Sequence, residues 1–214
     1  MSMPTPAQGA SPARLSARQL RSPFAGAFDF ELEAGACVAI QGPSGAGKSV
    51  LLRMLADLDP HTGEVLLDGV AAAAMAPAAW RAQVVYQAAE PGWWEATPAA
   101  HFDAAQLEAA RAGLDALGLR PGILEDAIRH LSTGERQRLA LLRSLSRKPR
   151  VLLLDEPTAA LDPEGVARAE ALLKAQLAEG LSILLVSHAP EQARRMASRV
   201  WRIDAGKIAG ELAA

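Results

Sequence analysis

Gly42-Pro43-Ser44-Gly45-Ala46-Gly47-Lys48-Ser49 decides how this chain folds. The stretch fits G-x-x-x-x-G-K-[ST], a loop whose backbone N–H groups cradle phosphates. Just before it, Cys37 to Ile40 is a short continuous apolar run, the pattern of a buried parallel strand. Just after it, Ser49 to Leu58 reads as a helix with Leu51, Leu52 and Leu55 on its apolar side. Strand, glycine loop and helix together are the context that a phosphate loop requires. Gly42, Gly45 and Gly47 allow the backbone to curl with its N–H groups inward. The helix presents its positive end to the same phosphates. Lys48 supplies a mobile charge for β- and γ-phosphates and Ser49 a hydroxyl for Mg²⁺. A nucleoside triphosphate is the expected ligand.

Further along, Val151-Leu152-Leu153-Leu154-Asp155-Glu156-Pro157 is a buried-strand run ending in two carboxylates. Ligands of open parallel sheets bind at that edge. Asp155 suits a Mg²⁺ ion held through water. Leu131-Ser132-Thr133-Gly134-Glu135-Arg136-Gln137 precedes it. Ser132 and Gly134 there begin a predicted helix, Gly134 to Ser146, whose Leu139, Leu142 and Leu145 form a buried face. A helix start with a serine hydroxyl and free N–H groups is a second phosphate site. Ser-Thr-Gly-Glu also fits a capping pattern, and the two roles are compatible.

Strands are also expected at Phe28 to Leu32, Gly63 to Asp68, Val84 to Tyr86 and Ser182 to Val186. Glu164 to Ala178 reads as an amphipathic helix, and His101 to Leu117 as another. Alternating strands and helices argue for a parallel α/β core, and the helical stretch from Ala88 to Lys148 for an insertion in it.

Glycine loop, signature and carboxylate strand, in this spacing, resemble the ATP-binding subunit of an ABC transporter from about Arg14 to Ile208. The resemblance implies a P-loop NTPase core of RecA-like type carrying a helical subdomain at about 88–148. It implies that Glu156 is the general base polarising the attacking water. Gln87 matches the glutamine whose amide reaches Mg²⁺ and that water, and His188 the switch histidine on the γ-phosphate. Pro157 to Asp162 matches the D-loop, which contacts the opposite subunit. The family sandwiches two ATP molecules in a head-to-tail homodimer, the signature of one copy completing the site of the other. Adenine stacking falls to Phe24. Thr133 stands where a glycine is usual, a β-branched restriction that bears on turnover rate rather than on binding geometry.

Composition agrees with a single globular domain. The chain has 214 residues, half of them apolar, and a net charge of −2, which gives no electrostatic case for nucleic acid. Cys37, the lone cysteine, suits a reducing compartment and reads as a small core residue. Met1 to Ala13 lacks the features of a signal peptide and reads as a disordered tail. No apolar run approaches the ~18 residues of a membrane-crossing helix. The expectation is a cytoplasmic chain, peripheral on the inner face of the membrane, with an integral permease subunit as partner. His61, His101 and His130 have no comparable context and read as surface or packing residues.

The adjacent Trp93 and Trp94 follow Gln87 closely. The family receives its permease's coupling helix beside that glutamine, so the pair is a docking candidate; packing of the helical subdomain is the competing assignment. The compact build is most similar to small iron-export subunits, which makes metal export the expected cargo class. The alternative is a non-transporting ABC ATPase that signals through a membrane partner.

Overall fold

The structure, a computed structural model, describes residues 13–213. Its strands are β1 (Ala13–Arg21), β2 (Phe28–Glu33), β3 (Cys37–Gln41), β4 (Thr62–Leu67), β5 (Val70–Ala71), β6 (Val84–Gln87), β7 (Val151–Asp155), β8 (Ser182–Val186), β9 (Arg199–Asp204) and β10 (Lys207–Ala213). The helices are α1 (Lys48–Leu55), α2 (Pro77–Gln83), α3 (Ala104–Gly113), α4 (Thr133–Leu145), α5 (Pro163–Ala178) and α6 (Pro190–Met196). Of the expected tail, residues 1–12 lie outside the described residues, and Ala13 opens β1. At the other end β10 runs past Ile208 to Ala213.

Two sheets organise the molecule. One has four antiparallel strands in the order β2-β1-β4-β5; the other has six in the order β10-β9-β3-β8-β7-β6. From β9 to β6 the six-stranded sheet is parallel. Residues on its central strands alternate between two cores. Val38, Ile40, Val151, Leu153, Leu184 and Val186 join the antiparallel sheet and α1 in one cluster. Cys37, Leu152, Leu154, Ile183 and Leu185 join α3, α4 and α5 in the other. Both faces are covered, which is why these strands read as unbroken apolar runs. Cys37 is a core residue, its thiol pushed up to about 12 by burial.

Between β6 and β7 the chain is helical, with α3, α4 and short 3-10 turns. Two helices are shorter than expected. The helix after the glycine loop ends at Leu55, because the chain turns at Asp57, φ 55°, and leaves Leu58 exposed. Trp80 of α2 closes that end by donating Nε1–H to the Leu55 carbonyl at 2.9 Å. The expected helix from His101 to Leu117 is α3 flanked by 3-10 turns at Pro98–His101 and Asp115–Leu117. Asp103 and Gln106 form a capping box at its start, so the α-helix cannot begin earlier.

Candidate active site

Strand register brings the chemistry to one edge. Ile40 of β3 pairs with Val186 of β8, Val186 with Asp155 of β7, and Leu154 with Gln87 of β6. Four strands therefore end nearly level. The loop from Gly42, the pair Asp155 and Glu156, the segment at His188, and Gln87 all leave the sheet at that edge.

Three glycines of the phosphate loop have positive φ: Gly42 at 155°, Gly45 at 77° and Gly47 at 97°. At Gly42 a Cβ would run into the Ile203 carbonyl oxygen, whereas at Gly45 it would meet nothing within 4 Å. The loop is thus pinned at its start by β9 and open at its middle, a cradle that side chains would fill. Pro43, Ser44 and Gly45 are exposed, and Ala46 is buried with its carbonyl accepting from Gly206 N–H at 3.1 Å. Lys48, the first residue of α1, is buried and donates from Nζ to the carbonyls of Gly42 and Pro43, both at 2.9 Å. Ser49 is exposed on the first turn.

Asp155 is buried at the end of β7 and accepts from Tyr86 Oη at 3.1 Å. Burial, with the Asp155 charge beside it, pushes the Tyr86 phenol well above its ordinary range, so it remains a donor. Glu156 has φ 49° and is anchored by its N–H to the Val186 carbonyl at 3.0 Å. Its Oε1 lies 3.0 Å from Nε2 of the exposed His188. A non-glycine residue in the left-handed region is strained, and such strain collects at functional sites.

Gln87 is only 4% exposed. Its Oε1 accepts from Ser144 Oγ of α4 at 3.3 Å, while Nε2 is buried without a partner. An orphaned buried donor is costly unless a ligand uses it. The hydroxyl of Ser49, the carboxylate of Asp155 and Oε1 of Gln87 are oxygens of the hard kind that Mg²⁺ takes alongside phosphates, so their chemistry fits that ion.

Ser132 and Gly134 sit elsewhere: among the described residues the Ser132 side chain bonds to Glu135 of its own helix and not to the glycine loop. Ser132 caps α4, and a Cβ on Gly134 would lie 3.3 Å from the Ala160 carbonyl oxygen. The signature therefore packs on the loop after Glu156. Phe24 is 83% exposed in the loop joining β1 to β2. Its neighbour Ala25 packs against Gly47 and Gly206, which brings that loop beside the phosphate cradle.

The two tryptophans differ. Trp93 packs against the second core with Arg143 stacked 4.2 Å from its ring centre. Trp94 is 73% exposed beside a cavity of about 320 Å³ lined also by Gln87, Arg143 and Arg147. His101 is the packing residue between them, its Nε2 accepting from the Trp94 and Glu95 N–H groups at 3.1 and 3.2 Å. Tyr86 and Ser144 escaped the sequence reading. Tyr86 belongs to a short apolar strand and Ser144 to the buried face of an amphipathic helix, and only their packing reveals the polar bonds.

Comparison with known proteins identifies the fold and the family. The family model described as ABC transporter matches residues 26–159. The chain is 38% identical over 209 residues to the thiamine import ATP-binding protein ThiQ of Vibrio vulnificus strain YJ016, covering 86% of this chain and 82% of that one. It is 35% identical over 208 residues to ThiQ of Escherichia coli K12, covering 85% and 83%. Protein STAR1 of Oryza sativa subsp. japonica is 36% identical over 190 residues, 84% of this chain but 55% of that protein. Among solved structures, an ATP-binding subunit of an ABC transporter superposes with TM-score 0.84 at 23% identity, covering 93% and 89%. A dimeric post-hydrolysis state of the ATP-binding cassette MJ0796 with ADP and phosphate gives 0.82 at 21% identity, covering 93% and 98%. The chain belongs to the ABC transporter family, as an ATP-binding subunit with ATPase activity on a P-loop NTPase core.

Proposed function

We propose that this chain is the ATP-driven motor of a membrane transporter, working as a head-to-tail homodimer on an integral permease. The level ending of β3, β6, β7 and β8 carries the reading, because it gathers phosphate, metal and water chemistry at one edge. Residues 42–49 cradle the phosphates, with Lys48 turning from its own loop carbonyls to the ligand. Ser49, Asp155 and Gln87 would hold Mg²⁺, which would neutralise charge on the phosphate oxygens. Glu156 takes the proton of the attacking water, and His188, 3.0 Å away, orients that carboxylate and contacts the γ-phosphate. Phe24 stacks on adenine. Ser132 and Gly134 serve the ATP held by the second copy.

The cassette comprises residues 14–208, with a helical subdomain at about 88–148. Among the described residues no helix is long and apolar enough to cross a membrane. The proposed transport path lies in the permease subunit. That arrangement supports a peripheral position on the cytoplasmic face. Docking beside Gln87 at the exposed Trp94 couples ATP turnover to the permease. For cargo, the ThiQ relatives support small-molecule import of the thiamine kind over the iron export that the sequence suggested.

The test is Glu156→Gln. Turnover should fall by about 10²–10⁴-fold, the worth of a general base, while ATP still binds. ATP should also shift the variant to a dimer on size exclusion. Parental turnover would overturn the assignment of Glu156, and a persistent monomer the sandwich.

A further inference from the structure

Behind the Glu156 and His188 loops lies a chain of side-chain bonds to which the proposed mechanism assigns no part. Glu170 of α5 is a carboxylate only 5% exposed. Arg195 of α6 clasps it bidentately, Nε to Oε2 and Nη2 to Oε1, both at 2.7 Å. Burial pushes the Glu170 carboxyl up, but the bonds and charge of Arg195, with Gln192, outweigh this and hold it below the usual range. The buried charge is therefore a fixed anchor between two helices. Gln192 of α6, also buried, donates from Nε2 to Glu170 Oε1 at 3.4 Å and to Thr158 Oγ1 at 2.9 Å. Thr158 Oγ1 in turn donates toward Gln192 Oε1 at 3.2 Å.

Thr158 lies two residues after Glu156, and Gln192 four after His188. The loop leaving β7 is thus bridged twice to the segment following β8, once by Glu156 to His188 and once by Thr158 to Gln192 in the first turn of α6. Between the bridges is a cavity of about 410 Å³, lined by Glu156, Thr158, Ser187, His188 and Gln192 among others. The first bridge is partly exposed and includes an exposed histidine; the second joins a half-buried Thr158 to a buried Gln192 and is anchored on the buried Glu170 carboxylate. The buried amide of Gln192 sets the separation of the two segments more firmly than an exposed contact does, because leaving it unpaired is costly.

We infer that Gln192 and Thr158 are positioning residues for the hydrolytic pair: they hold the Glu156 and His188 loops at working distance, with Glu170 and Arg195 as the fixed point. The inference rests on the proposed roles of Glu156 and His188. Neither positioning side chain needs to touch the nucleotide. Loss of the brace should lower the rate of the chemical step and leave binding alone.

The test compares Thr158→Val, which removes the hydroxyl at nearly constant shape, with Thr158→Ser, which keeps it, and with Gln192→Leu. For Thr158→Val and Gln192→Leu, kcat for ATP should fall by about 10-fold or more, as misplacement of a reacting group by a fraction of an ångström requires. The dissociation constant of a fluorescent ATP analogue should stay within about two-fold of the parent's, and Thr158→Ser should retain parental kcat. Amide hydrogen exchange should quicken at 156–161 and 187–192 in the two disabling variants and remain parental elsewhere. Parental kcat and exchange in Thr158→Val would overturn the inference. So would equal losses in Thr158→Val and Thr158→Ser, which mark a packing role. If Glu156→Gln itself turns over at the parental rate, the roles of the pair fail, while the exchange data still report on the brace.

Discussion

Ser132 and Glu135 satisfy each other at the start of α4. The serine N–H and Oγ both donate to Glu135 Oε2 at 2.8 Å, and the Glu135 N–H returns a bond to Ser132 Oγ at 3.2 Å. The capping box and the anion site foreseen for this turn occupy the same atoms. The serine proposed to serve a second copy's phosphate is held in its rotamer by its own helix.

Ser132→Arg would place bulk where the proposed sandwich docks the partner's γ-phosphate. ATP should still bind, while hydrolysis and ATP-dependent dimerisation are lost. Removal of the cap should itself cost about 1 kcal/mol. Mixing this variant with Lys48→Ala leaves at most one intact composite site per heterodimer. Titrating one variant into the other while following turnover measures this. Full activity of Ser132→Arg alone would refute the shared site.

Glu135 gives that box a dependence on pH. The Ser132 N–H and hydroxyl hold its carboxyl below the ordinary value. Its share of stability is therefore complete above the unfolded value of about 4.3 and is lost as pH falls through the depressed folded value. Urea midpoints of the parent and Glu135→Gln should differ at neutral pH and converge in acid. A gap that widens in acid would reverse the sign.

Tyr86 orients the carboxylate proposed to hold Mg²⁺. Tyr86→Phe deletes its bond to Asp155 and keeps the ring that packs on the core. The Mg²⁺ concentration for half-maximal turnover should rise by about 10-fold, as for other outer partners of metal ligands. Titration of Mg²⁺ at fixed ATP decides the matter, and an unchanged midpoint would show that Asp155 needs no such help.

The tryptophans separate docking from packing. Trp94→Ser should keep the melting temperature and basal ATPase and lose permease co-purification. Trp93→Ser should lower the melting temperature, because its ring carries Arg143 and part of the second core. Loss of basal ATPase in Trp94→Ser would move the docking site elsewhere.

Much of this was legible from residues alone, for identifiable reasons. Val151 to Leu154 and Ser182 to Val186 are apolar on both faces because helices and a second sheet cover both. The glycine loop was legible because its backbone conformation admits few other residues. β1 was not: its pairing with β2 shifts register between Ala17 and Leu20, where Gln19 takes φ 48°, and the alternation breaks. β9 and β10 escaped because charged residues such as Arg199, Arg202, Asp204 and Glu211 interrupt their apolar positions. Thr158 and Gln192 stand 34 residues apart, and no periodicity announces a bond made from a loop to a helix.

Trp80 and Trp201 are sealed in the interior, Trp93 is partly covered, and Trp94 stands in water. The chain thus contains its own optical probe. Acrylamide should quench Trp94 emission first and leave the interior pair as a constant background. A partner settling beside Gln87 would shield that indole and shift its emission to the blue, so docking can be timed in a stopped-flow cuvette without attaching a dye.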